Sequence, residues 1–448
     1  MANTNSLNQV SQASKRQVFT AGFASIIAWS FDLFDLFILL FVASTVGPLL
    51  FPSEVGALSL AAVYASFAVS LIMRPLGSVI FGHYADKKGR KRAMVIAIFG
   101  VGIATALMGA VPTVDQAGLV GPIAFVILRI IQGIFVGGVV ASTHTIGTET
   151  ISQKWRGFLS GAIGGGGAGV GALIASFFFF LTSSIFPGKE FSVWGWRVMF
   201  FTGIIGSILS LFVFKSVEES PLWSMQARTR EVERSPLRTL FSRRYAPLFF
   251  INLLIVIGGG AHYYLTSGFL PTFLDVVNHI SSSMRGRVLV VASLAALVSP
   301  PLFGHLSEIF GRKKIFIATG VINLFVIPYL YFQLEGLTSS SVGAIYLYTF
   351  ILSFFGNAAY APVLVFLNER FPTSIRSSGT GISWNTGFAI GGILPTFVTL
   401  ASVPLKSLTT SVVVFLVAAI LLYLVGALVN PETRGKMEEE LDPYQQAR

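Results

Sequence analysis

Two aspartates three residues apart, Asp32 and Asp35, interrupt an apolar run in the stretch FDLFDLF. On a helix such residues share nearly one face, about one turn apart. Two carboxylates that close resist being ionised together, and burial adds to that resistance, so the pair is suited to exchanging protons near working pH. A charge at mid-membrane costs roughly 2.5–3.5 kcal/mol on insertion scales, which is why such residues usually face a bundle interior or a wet cavity. Arg129, inside another apolar run, is the natural counter-ion. One reading is a fixed structural ion pair. The other is coupling, in which a protonated Asp releases the guanidinium to meet an anion. Asp35 is expected to carry the proton, with Asp32 tuning it or serving as relay.

The elements that must hold these residues are apolar. Of 448 residues 53% are hydrophobic and only 11% charged, against roughly a quarter charged in a typical soluble domain. A helix needs roughly 20 apolar residues to cross about 30 Å of hydrocarbon. Twelve such runs occur, near 18–43, 58–81, 92–111, 121–143, 157–184, 195–214, 246–274, 286–306, 314–333, 343–367, 378–402 and 408–430. The expected fold is an all-α membrane protein with twelve transmembrane helices.

The net charge of +11 raises nucleic acid as a partner, but the placement of the charges argues otherwise. Lys189, Arg197, Arg285, Arg287 and Lys406 fall on one side and Arg74 and Arg129 within spans; the other Lys and Arg gather on the opposite side. By the positive-inside rule both termini are expected to be cytoplasmic in the cell (plasma) membrane. A polar N-terminal stretch and the two acids in the first run argue against a removable signal peptide. Cysteine is absent, which excludes disulfides, thiolate metal sites and a cysteine nucleophile.

The longest polar interruption, Lys215 to Arg244, divides the spans six and six. The expected organisation is an N-terminal half (1–214), a cytoplasmic linker (215–245), a C-terminal half (246–430) and a cytoplasmic tail (431–448). Internal repeats support it. GHYADKKGRK after the second span returns as GHLSEIFGRK after the eighth; ETISQKWRG after the fourth returns as ERFPTSIRS after the tenth, at nearly the same offset. One such cluster reads as a solvated basic turn. Repeated, the acids and arginines read as latches between neighbouring helix ends, since Arg forks bidentately onto carboxylate. The expected gating residues are Asp86, Arg90, Glu149, Arg156, Glu308, Arg312, Glu369 and Arg376. Arg74, beside the first motif, is expected to snorkel or join the latch.

These motifs, with RIIQGIFVGG in the fourth span, resemble those of the major facilitator superfamily over nearly the whole chain. RPLGSVIFGHYADKKGRKRA, WGWRVMF, VEESPLW and YLTSGFLPTFL resemble the metabolite:proton symporters, whereas the D-x-x-D of the first span is similar to that of sialate and monocarboxylate or aromatic acid:proton symporters. Val139 stands after Gly137 and Gly138, where the metabolite symporters usually have Glu. The resemblance implies an acid in the first span facing Arg129 in the fourth.

Gln132 shares the face of Arg129 and is a candidate substrate contact. In the seventh span GGGAHYYLTSGFLP joins a flexible glycine run to His262, Tyr263 and Tyr264, which read as site residues or as an interfacial belt. Asn357 and Tyr360 in the tenth span, and Trp384 and Asn385 in the eleventh, are placed to line a cavity; His144 reads as structural. GAIGGGGAGVGALIAS lacks a preceding strand and a GK[ST], so it reads as a closely packed helix, not a phosphate loop. No catalytic constellation, cofactor site or metal site emerges.

The expected activity is proton-coupled uptake of a small organic anion, a carboxylate, by a chain working as a monomer. Its expected partners are that anion, protons and the lipid bilayer, with no nucleic acid. Alternatives are a sugar or other neutral-solute porter and a transporter-like sensor.

Overall fold

The computed structural model describes residues 15–88, 90–150, 153–215, 240–371 and 375–436. The side chains of Asp32, Asp86, Arg90, His144 and Glu149 lie outside the described residues, as do 216–239 of the expected linker. Hydrocarbon offers no partner to a free N–H or C=O, so apolar segments of this length close their hydrogen bonds internally as helices. Twelve are found among the described residues: α1 Lys15–Leu50, α2 Gly56–Lys88, α3 Arg90–Ala110, α4 Val120–Thr150, α5 Gln153–Ile185, α6 Trp196–Lys215, α7 Ala246–Val276, α8 Ser282–Phe310, α9 Arg312–Glu335, α10 Val342–Arg370, α11 Arg376–Leu405 and α12 Leu408–Val429. Ten are long and apolar enough to span a bilayer, and shorter apolar stretches, Val95–Ala110 and Phe191–Ile205, fall on the α3 and α6 segments.

Three of these helices are interrupted, α5 by a π-helical turn over Ala162–Gly166 and α7 and α10 as follows. In α7 the regular helix ends at Tyr263, gives way to a π-helical turn over Tyr264–Gly268 and resumes at Leu270. Pro271 has no N–H to continue the ladder, and π-turns are frequent at functional sites. In α10 the helix pauses between Ala358 and Val363, with Pro362 at the restart.

Glycines set the closest approaches. A Cβ at Gly157, Gly161 or Gly169 would lie 2.4 Å from Gly304 O, 2.2 Å from Pro300 O and 2.5 Å from Leu297 Cα, so one face of α5 lies directly on the backbone of α8. Gly171, on another face, meets Ser30 O of α1 at 2.6 Å on the same construction. The glycine-rich segment is thus a two-sided packing helix, the small-residue close approach typical of membrane interfaces. α5 against α8 and α2 against α11 join the first six helices to the last six. Large apolar side chains such as Phe325, Phe250 and Leu428 point outward, as lipid-facing residues do, while many polar ones are buried inside.

Candidate functional site

The site is built where α2 and α4 touch. A Cβ at Gly133 would stand 2.2 Å from Ser70 O, and one at Gly137 2.0 Å from Arg74 O. Ser78 Oγ adds a hydrogen bond to Gly137 O at 2.7 Å. This contact brings Arg74 of α2 and Arg129 of α4 to the wall of one small cavity, which Asp35 of α1 completes together with Phe67, Ser70 and Gln132. Asp35 is buried and approaches Gly203 of α6, whose missing side chain leaves room for the carboxylate.

Arg129 is 1% exposed. Its Nη1 donates to Gln132 Oε1, Gln132 Nε2 donates to Thr105 Oγ1 at 2.6 Å, and Thr105 Oγ1 donates to Val101 O at 2.9 Å. The guanidinium lies 5.5 Å from the Phe67 ring centroid. No described residue accepts from its Nε or Nη2. Those two N–H groups form one edge of the planar fork that grips a carboxylate through parallel bonds. A buried donor without an acceptor is costly.

An aromatic layer continues from Phe67 into the last six helices. Phe67 meets Tyr264 at 5.6 Å between ring centroids, and Tyr264 packs on Tyr263 at 5.0 Å and Phe388 at 6.1 Å. Tyr360 touches Tyr263 and Trp384, and Trp384 stacks on Phe388 at 3.8 Å and meets Trp29 of α1 edge-on. Asn357 is tied within this layer: it donates to Ser267 Oγ at 2.8 Å and accepts from Tyr360 Oη at 3.0 Å. Asn385 is buried on α11. His262 lies elsewhere. Its Nδ1 bonds Gly258 O and its ring packs on Tyr423 of α12, because the one-residue step from Tyr263 rotates it about 100° around α7.

The arginine motifs meet at the end carrying the basic loops. Arg312 forks onto Glu369, Nε to Oε2 at 3.1 Å and Nη2 to Oε1 at 2.9 Å, and Nη2 also reaches Glu308 Oε2 at 2.7 Å. Glu308 Oε2 accepts from the backbone N–H of Gly157 at 2.9 Å, linking α8 to α5. Arg376 turns to the carbonyls of Asn368 and Phe371, and Arg156 is buried. At the opposite end Tyr64 and Thr272 share a hydrogen bond of 2.8 Å, Arg285 pairs with Asp275, and its guanidinium lies 5.5 Å from the Phe179 ring of α5. The first and last six helices therefore touch at both ends.

The chain beyond α12 joins the same cluster. Glu432 accepts from the backbone N–H groups of Arg312 and Lys313, capping the N-terminus of α9, and from those of Thr433 and Arg434. Thr433 Oγ1 donates to Glu369 Oε2 at 2.7 Å. Partial burial raises the Glu432 carboxyl, but these four donors outweigh it and hold it below the usual carboxylate range.

Arg74 differs from the sequence expectation: it faces the cavity of Asp35 and Arg129 instead of snorkelling or joining the latch. Sequence reasoning also passed over Thr105 and Phe67, which hold Gln132 and Arg129. A cation in the middle of an apolar run was the available signal for Arg74; nothing local marks Thr105, Phe67 or Glu432.

Comparison with known proteins accords with this architecture. Residues 53–247 match the family described as Sugar (and other) transporter, and residues 263–443 match the Major Facilitator Superfamily. The inner membrane metabolite transport protein YhjE of Escherichia coli is 28% identical, covering 92% of this chain and 93% of that protein. The glycine betaine/proline/ectoine/pipecolic acid transporter OusA of Dickeya dadantii is 28% identical over 85% of this chain and 76% of its own. The proton:xylose symporter XylE has the same fold, with a TM-score of 0.71 at 19% identity, covering 95% of this chain and 98% of the other.

Proposed function

Because the chain belongs to the major facilitator superfamily and is a multi-pass membrane transporter and not an enzyme, we propose that it carries out proton-coupled symport of a small organic anion, a carboxylate. The observation that carries this reading is the Nε/Nη2 edge of Arg129, from which no described residue accepts, in a cavity shared with Asp35. Protonating Asp35 removes the negative charge competing for the guanidinium, so proton uptake and anion docking favour each other. Gln132 holds the Arg129 fork in orientation. The helices then rock about the cavity, and the cluster of Gly157, Glu308, Arg312 and Glu369 closes the basic end, which the positive-inside rule assigns to the cytoplasm. The two halves, 1–214 and 246–430, are the bodies that move.

The test is uptake into proteoliposomes under an imposed pH gradient. Carboxylate uptake is expected to rise as external pH falls, and Arg129→Lys, which keeps the charge but loses the fork, is expected to reduce it more than tenfold. Uptake that is flat with pH, or normal carboxylate transport by Arg129→Lys, overturns the reading. A zwitterion is the second reading, favoured by the aromatic layer of Tyr263, Tyr264, Tyr360 and Trp384, since aromatic faces attract cationic headgroups. The substrates in the name of OusA fit that chemistry.

A further inference from the structure

We propose that Trp29 of α1 and Trp384 of α11, with Tyr360 of α10, form an inner gate that shuts the cavity of Asp35 and Arg129 from the basic end, separately from the cluster of Glu308, Arg312 and Glu369. The inference rests on the reading of that cavity as the place where the transported solute sits.

Position along the helices puts these three rings between the cavity and the cluster. Trp29 precedes Asp35 by six residues, about 9 Å toward the basic end on a rise of 1.5 Å per residue. Trp384 lies eight residues beyond Arg376, where α11 begins at that end, and Tyr360 stands nine residues before Glu369 on α10. Trp29 meets Trp384 edge-on at 6.0 Å between ring centroids, Tyr360 meets Trp384 at 6.4 Å, and Phe388 stacks on Trp384. α1 belongs to the first six helices and α10 and α11 to the last six, so the rings close the division between the halves at this level.

The backbone around them is irregular on both sides of that division. α5 runs through its π-helical turn at Ala162–Gly166, and α10 pauses between Ala358 and Val363. The two irregularities touch: a Cβ at Gly164 would lie 2.8 Å from Leu364 Cδ1, and one at Gly165 3.4 Å from Tyr360 Cε2. One at Gly167 would lie 3.1 Å from Trp29 Cδ1, so the glycine run of α5 is the seat on which rings of both halves rest. Helices bend most readily at such π-turns and at prolines, and Pro362 stands at the break in α10.

The contact is also readily reversed. Parting two ring edges breaks no ion pair, unlike releasing the buried Arg312 fork. Trp29 is 3% exposed, and no described residue accepts from its Nε1. Water admitted as the rings part supplies an acceptor, which offsets some of the packing lost.

The experiment uses the absence of cysteine from the chain. Ser70, which lines the cavity, and Leu364, four residues beyond Tyr360 toward Glu369, are replaced singly by Cys in the full-length protein. A small charged methanethiosulfonate is applied to inside-out membrane vesicles, whose outer face carries the basic loops. With the rings intact, Ser70→Cys is expected to react at least tenfold more slowly than Leu364→Cys. Equal rates at the two positions overturn the inference, a reading independent of whether further variants fold. Trp29→Ala and, from the other half, Trp384→Ala are each expected to speed Ser70→Cys at least tenfold and to leave Leu364→Cys within twofold, whereas Trp29→Phe, which keeps a ring, stays near the parent rate. A Ser70→Cys rate unchanged in both alanine variants overturns the inference, and so does an equal rise at Leu364→Cys, which would mean that the rings merely hold the halves together. No substrate enters the measurement, so its failure leaves the carboxylate reading to the uptake assay.

Discussion

The backbone N–H of Gly157 on α5 and the Nη2 of Arg312 on α9 donate to the same oxygen, Glu308 Oε2, at 2.9 and 2.7 Å. One carboxylate oxygen thus ties the first six helices to an ion-pair cluster of the last six, and the tie depends on a glycine lying against Gly304. A backbone donor cannot swing away from its acceptor as a side chain can. Releasing the contact requires moving α5 from α8, which is the motion expected of a rocking transporter.

Gly157→Ala places a Cβ 2.4 Å from Gly304 O and 2.9 Å from Glu308 Oε2, so α5 and α8 must part. The expected outcome is a larger population open at the basic end. The chain has no cysteine, so spin labels on cysteines introduced at Lys154 and Ile309 report that distance without background. An unchanged distance distribution in Gly157→Ala counts against the gating role.

Arg312 is buried between Glu308 and Glu369. Arg312→Ala leaves two buried carboxylates without their cation, and breaking such a pair costs about 3–5 kcal/mol. Arg312→Lys keeps the charge but cannot serve both Glu369 oxygens through a planar fork. The expected order of thermal unfolding midpoints in detergent is parent, Lys, Ala, with turnover slowed in both variants and substrate affinity little changed. Equal midpoints would show that the cluster contributes nothing to the fold.

Asp35→Asn mimics the protonated carboxyl. It is expected to abolish concentrative uptake under a pH gradient while substrate counterflow persists in part, and Asp32→Asn is expected to be milder. Asp35→Asn vesicles that accumulate substrate at the parental rate would remove Asp35 as the proton site, and the reverse pair of phenotypes would move it to Asp32.

Glu432 is held below the ordinary carboxylate range by four backbone donors. A lowered folded-state pKa means that its stabilisation is fully present above the unfolded value, about 4.3, and is lost as pH falls through the lowered folded value. Glu432→Gln is therefore expected to lower the unfolding midpoint at pH 7, with the gap from the parent closing as pH is taken below about 4. A gap of the same size at both ends of that range would mean that the carboxylate charge does not cap α9.

The sequence alone determined the class of the molecule. Apolar length is a local quantity, and helices long enough to cross a bilayer follow from it without knowledge of their neighbours. The glycine run of α7 was legible for the same reason, although the π-turn falls just after it, at Tyr264–Gly268. Asp35 and Arg129 stood out because a charge in an apolar run is conspicuous in any fold. What the sequence could not supply was the rotation of each helix about its axis. Periodicity relates Arg74 to Ser70 and Ser78 on one helix, but the face they turn inward is set by where α2 meets α4, at Gly133 and Gly137. The same limit separated His262, turned toward Tyr423, from Tyr263 beside it. Nor could spacing say which carboxylate Arg312 would grip: Glu369 and Glu432 come to α8 and α9 from distant segments, and only the summed packing of all the helices brings them to the same few ångströms.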